Sequence, residues 1–162
     1  MMIRQAKLED LEQIHAIEVA NFSAQEAMTK EVLKDHIEKV VTSFLVAEDE
    51  EGKILGYLEG PVTPKRYLMD ESFENVEDFS HQAGGYISIT SLSISPQAQG
   101  LGLGKGLMEA MKEVAVRDGR EGINLTCHDY LIPYYEKHGF VNEGLSQSTY
   151  AGEVWYDMVW EA

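Results

Sequence analysis

Pro96-Gln-Ala-Gln-Gly-Leu-Gly-Leu-Gly-Lys-Gly106 places four glycines in seven residues, between the alternating run Tyr86–Ile94 and a stripe of Leu103, Leu107, Met108, Met111, Val114 and Ala115. The alternation predicts a strand and the stripe an amphipathic helix. A glycine-rich turn that opens a helix leaves backbone N–H groups aimed at one spot, where the helix dipole adds partial positive charge. Glycine also lets a bulky anion approach the backbone closely. The stretch therefore predicts a cradle for phosphate or pyrophosphate. The dinucleotide pattern G-x-G-x-x-G fails, because counting from Gly100, Gly102 or Gly104 ends on Lys105, Leu107 or Glu109. The nucleoside-triphosphate loop fails too: Gly106 stands where Ser or Thr must hold magnesium, and Gln99 stands at the leading glycine. Gln-x-x-Gly-x-Gly does fit, on Gln99, Gly102 and Gly104. The competing reading is a β–α connection with no ligand.

The chain of 162 residues is read as one domain, 1–162, large enough to bury a core. Its 44% hydrophobic and 25% charged content is that of an ordinary globular protein. No membrane-length apolar run or signal-peptide core stands out, so a cytoplasmic protein with no membrane partner is expected. The single Cys127 excludes an intrachain disulfide and a cysteine-built metal site, and it reads as a buried strand residue. Five scattered histidines include no zinc-type spacing, so no metal is expected. A net charge of −15 argues against nucleic acid and favours cationic partners. An anionic ligand then needs local help from backbone dipoles, Lys105 and Lys112.

Periodicity orders the elements as β-αα-β-β-β-α-β-α-β-β, helices on a mixed, mostly antiparallel sheet. Thr29 is positioned to cap the second helix, on which His36 falls in the apolar stripe and reads as a buried, hydrogen-bonded histidine. From Pro61 to Gly85 the pattern dissolves into a long excursion, with Tyr67, Phe73 and Phe79 as candidate pocket walls.

The glycine loop, placed after the fourth strand, resembles the pyrophosphate loop of the GNAT acyltransferases. Asn124–Phe140 strengthens the likeness, since Tyr135, Gly139 and Phe140 match that family's terminal Tyr-x-x-x-Gly-Phe motif. The run Cys127-x-Asp-x-Leu-x-Pro-x-Tyr135, with Glu18-Val-Ala-Asn-Phe-Ser23, looks like the arylalkylamine (serotonin-type) N-acetyltransferase branch. The resemblance covers nearly the whole chain. It implies an α/β fold with a mostly antiparallel sheet of about seven strands and about four flanking helices. It also implies acetyl-CoA as cosubstrate without metal, direct acetyl transfer to a primary amine of a small molecule, and, as in many relatives, a homodimer.

Carried over residue by residue, Leu92, Ser93 and Ile94 would pair with the pantetheine arm. Gln99, Gly100, Leu101, Gly102, Leu103, Gly104 and Lys105 would hold the pyrophosphate, and Tyr135 would protonate the departing thiolate. Tyr134 reads as packing or pocket wall. The acceptor pocket would involve Glu18, Phe22, Ser88 and Thr90. The latter two stand where the arylalkylamine enzymes carry two histidines, and neither is a base at neutral pH. The base is therefore sought among Glu18, Glu26, His81, His128 and Asp129, with Glu26 the first choice. Two other functions keep the same fold: an acetyltransferase for protein N-termini or lysines, and a coenzyme-A-binding sensor without turnover.

Overall fold

The computed structural model describes residues 1–162, the side chain of Glu74 excepted. The elements run β1 (Met2–Gln5), α1 (Leu11–Asn21), α2 (Lys30–Lys39), β2 (Phe44–Glu48), β3 (Ile54–Glu59), β4 (Val62–Thr63), α3 (Glu71–Glu74), β5 (Tyr86–Ser88), β6 (Ser91–Ile94), α4 (Leu103–Arg117), β7 (Gly122–Cys127), α5 (Ile132–Lys137), β8 (Val141–Leu145) and β9 (Tyr156–Glu161). Local chemistry explains the boundaries. Thr29 accepts the Val32 N–H and caps α2, and the Asp49 carboxylate accepts the N–H groups of Glu51 and Lys53 to close the β2–β3 turn.

Two sheets result, ordered β1-β2-β3-β6 and β4-β5-β7-β9-β8. All pairings are antiparallel except β5 with β7. The expected seven strands become nine for two reasons. The run from Ile54 stops at Glu59 and resumes as β4, and the run Tyr86–Ile94 belongs to both sheets. The Ile89 N–H still reaches the Asn124 carbonyl of β7 at 2.8 Å, but the next N–H, of Thr90, turns to the Glu59 carbonyl of β3 at 2.8 Å. Beyond Ile89 no backbone hydrogen bond joins β6 to β7 among the described residues, and a slot opens between the sheets.

Helices cover both faces of the first sheet. The α4 residues Leu107, Met108, Met111 and Ala115 bury themselves with Leu58, Ile87, Ile123 and Met158, while α1 and α2 bring Ile14, Leu33 and Ile37 onto Phe44, Val46 and Tyr57. Each such large side chain contributes about 1.5–3 kcal/mol through burial. The excursion after Pro61 is tied down by side chains reaching its backbone. Asn124 donates to the Lys65 and Arg66 carbonyls, and Arg120 to those of Ser80, Gln82 and Gly84. Its short α3 is the fifth helix, against about four expected. No helix among the described residues is long and apolar enough to cross a membrane.

Candidate active site

The glycine loop forms one wall of a cleft of about 870 Å³ lined by Ile94, Gln99, Gly100, Gly102, Leu103, Gly104 and Lys105, facing Lys112, Tyr134, Lys137 and His138. Gly100 and Gly102 take left-handed φ of 83° and 78°, a conformation that L side chains rarely adopt. Gly102 is the residue preceding α4, so the first N–H groups of that helix face the cleft without a side-chain cap. Within a chain of net charge −15, three lysines converge here. They also leave a mark on His138, whose imidazole is held below its ordinary value by burial first and then by Lys112. Lys112 itself donates to the His138 carbonyl and lies over the Trp160 ring. Leu101 points away, 70% exposed.

Neighbouring residues of β6 and of α5 divide between this cleft and a second cavity. Ile94 and Tyr134 line the cleft; Leu92 and Tyr135 line the cavity. A long ligand with its anion in the cleft thus has its far end led into the slot between β6 and β7. The second cavity measures about 400 Å³, and its walls include Glu18, Phe22, Glu26, Thr90, Cys127, His128, Tyr150 and Trp155.

Tyr135 is buried, and its hydroxyl makes no hydrogen bond among the described residues. Burial raises its pKa well above that of a free phenol, so it holds a proton at neutral pH. The neighbouring Cys127 thiol is pushed up to about 11 by burial, which keeps it a thiol and not a nucleophile.

Two buried carboxylates sit where the sheets part. Glu18 accepts the Tyr57 hydroxyl, the Ser91 hydroxyl at 3.1 Å and the Met28 N–H at 2.9 Å. Burial lifts its carboxyl above the usual range, against the pull of those donors. Glu59 accepts the Thr90 hydroxyl and the His36 Nδ1–H at 2.9 Å. His36 Nε2 meets the Phe73 carbonyl at 3.3 Å, so both ring nitrogens face groups that only accept, and the ring is an imidazolium. Its pKa is accordingly raised: burial opposes the charge, and Glu59 more than compensates. The sequence reading of His36 as buried and hydrogen-bonded is what the structure shows.

The expected acceptor residues are only partly brought together. Glu18, Phe22 and Thr90 line the cavity, with Thr90 committed to Glu59. Ser88 does not: it is fully buried, with its hydroxyl 3.3 Å from Thr63. Ser93 is also buried and accepts from Asn21, which ties α1 to β6 through the Ile94 carbonyl. Glu26 lies on the cavity wall, with its carboxylate 3.9 Å from His128 Nε2. Glu153 joins them: one side-chain donor atom from each of the three lies within 4.8 Å of the others. Of the aromatics expected from the excursion, Phe73 reaches the cavity, Tyr67 binds Glu143, and Phe79 packs on the core.

Sequence reasoning missed Tyr150 and Trp155. They stand in a polar segment before β9 that carries no periodic signal, yet they roof the cavity. The Tyr150 ring packs 4.4 Å from Phe73, its hydroxyl donates to the Glu26 carbonyl, and Asp70 accepts from Ser148 and from the Thr149 N–H.

Residues 8–140 match the model of the acetyltransferase (GNAT) family, and the chain belongs to that family, whose chemistry is acyl transfer from a coenzyme A thioester. A comparison with curated proteins finds no significant match. Solved structures share the whole architecture. The loading GNATL domain of CurA from Lyngbya majuscula superposes with a TM-score of 0.78 at 19% identity, covering 99% of this chain and 96% of that one. Ard1 from Thermoplasma volcanium gives 0.74 at 20%, covering 99% and 97%. Rv2747 from Mycobacterium tuberculosis, solved in complex with CoA and NLQ, gives 0.69 at 16%, covering 100% and 99%.

Proposed function

We propose that this protein transfers an acetyl group from acetyl-CoA to the primary amine of a small molecule, arylalkylamine or polyamine-like, by direct attack in a ternary complex. One observation carries the preference for a small acceptor over a polypeptide. The acceptor side is a cavity of about 400 Å³ whose roof is bridged by contacts among Phe73, Tyr150, Asp70 and Ser148. A peptide must continue out of a site in at least one direction, whereas an amine with an apolar body fits under such a roof. The aromatic walls suit that body, and the chain's acidity suits an ammonium.

Gln99 to Lys105 hold the pyrophosphate through backbone N–H groups, with Lys105 and its neighbouring lysines supplying charge. The edge of Leu92–Ile94 that pairs with no strand guides the pantetheine arm into the slot. Holding amine and thioester in register supplies much of the acceleration. Tyr135, protonated and without a competing partner, gives its proton to sulfur as the C–S bond breaks. The chain works as one domain, and a homodimer is its expected assembly.

Thiol release from acetyl-CoA, followed with arylalkylamines, polyamines and peptides, tests this. The expected result is release with small amines and none with peptides. Greater kcat/KM with a peptide N-terminus or lysine overturns the small-molecule reading, and CoA binding with no release from any acceptor points to a sensor.

A further inference from the structure

We infer that His128 is the group that takes the proton from the acceptor amine, with Glu26 as the carboxylate that positions it; this rests on the acetyltransferase reading above. The cavity's other titratable groups are already engaged or protonated. Glu18 is filled by three donors. Cys127 and Tyr135 hold their protons at neutral pH. Tyr150 donates to a carbonyl. Glu26, His128 and the phenol Tyr130 remain, and of these three side-chain types the imidazole is the strongest base available near neutral pH.

The geometry of His128 is that of a fixed acceptor. It follows directly on β7, at the end of the slot. Its ring stacks on Trp155 at 4.2 Å and on Tyr130 at 5.4 Å, inclined to them by 27° and 12°. Those contacts restrain the ring, as a catalytic base requires. Nε2 lies 3.9 Å from the Glu26 carboxylate, too far for a direct hydrogen bond but within ion-pair range, so Glu26 acts on that edge of the ring by charge.

The charged and titratable groups around the ring come from three segments. They are Glu26 between α1 and α2, Glu153 before β9, and Asp129, Cys127 and Tyr130 beside His128 itself.

The proton accounting closes. An alkylammonium gives one proton to the His128 imidazole, and the freed nitrogen forms a C–N bond to the thioester carbonyl carbon. As the C–S bond breaks, Tyr135 protonates sulfur. The nitrogen's second proton restores Tyr135, its third stays on the amide, and His128 passes its proton to water.

The test is the pH profile of kcat/KM in chelator-treated buffer, with one small amine turned over by the wild type, for wild type, His128→Ala, His128→Gln and Glu26→Gln. Expected are a fall of about 10²–10⁴ in both His128 variants, partial rescue of His128→Ala by added imidazole, and a shift of the acidic limb to lower pH in Glu26→Gln. CoA affinity, measured by calorimetry, stays at the wild-type value in the His128 variants and so reports an intact fold. Wild-type activity in His128→Ala overturns the proposal, as does full loss in Glu26→Gln with no imidazole rescue of His128→Ala. A wild type that acetylates no amine overturns this proposal together with the function it rests on.

Discussion

His36 and Glu59 form an ion pair of 2.9 Å in which neither side chain touches solvent. Glu59 in turn holds the Thr90 hydroxyl at the residue where the chain crosses from one sheet to the other. Removing one partner strands the other charge in the interior, which destabilises by about 3–5 kcal/mol. His36→Ala is therefore expected to lose that much in urea denaturation. His36→Ala and Glu59→Gln together should lose less than the sum of the single changes. Additive losses would mean the pair is not coupled.

The same pair predicts a pH dependence. The folded-state pKa of His36 is raised above 6.5, so the folded protein binds that proton more tightly than the unfolded chain. Its contribution to stability is complete below about 6.5 and is lost as pH rises through the higher folded value. Glu18, also raised, acts in the same direction over a window that starts near 4.5. Denaturation midpoints should fall as pH rises above neutrality in the wild type and stay flatter in His36→Gln.

Gly102 and Gly104 line the cleft in different ways. A Cβ on Gly102 meets open space, so Gly102→Ala suffers only from its positive φ, about 1–2 kcal/mol of stability. A Cβ on Gly104 would stand 2.7 Å from the Tyr134 hydroxyl, across the cleft. Gly104→Val is expected to raise the KM for acetyl-CoA about tenfold, the equivalent of ~1.4 kcal/mol, with thermal stability nearly unchanged. Unaltered KM would place the pyrophosphate elsewhere.

Tyr135→Phe removes a hydroxyl that has no hydrogen-bond partner to lose. Stability should therefore hold, while kcat falls by about 10²–10⁴ with CoA affinity preserved. A melting shift with unchanged kcat would make Tyr135 a packing residue.

Tyr150→Ala opens the roof by deleting the ring on Phe73 and the bond to Glu26. The KM for the amine should rise several-fold and that for acetyl-CoA should not, as separate titrations of the two substrates would show.

The glycine turn that opens α4 and the short helix that carries Tyr135 were legible because both are local: fixed spacing around a helix start and within one short helix. Cys127 and His36 could be read for the same reason, as apolar positions in regular elements. The split of Tyr86–Ile94 was not, because alternation gives side-chain facing and says nothing about which strand each edge meets. The excursion from Pro61 was opaque because Asn124 and Arg120, distant in sequence, hold its carbonyls. Tyr150 and Trp155 were missed because they lie in an aperiodic segment and act through partners outside it, Phe73 for Tyr150 and His128 for Trp155.

The crossing at Ile89 and Thr90 ties rigidity to function in an unwelcome way for an engineer. The slot exists because two sheets decline to become one. Any substitution that adds ladder bonds between β6 and β7 would make the protein harder to melt and would close the slot. Under the proposed function, heat tolerance gained at that seam trades against turnover, so stabilising changes belong on the far faces of α2 and α4.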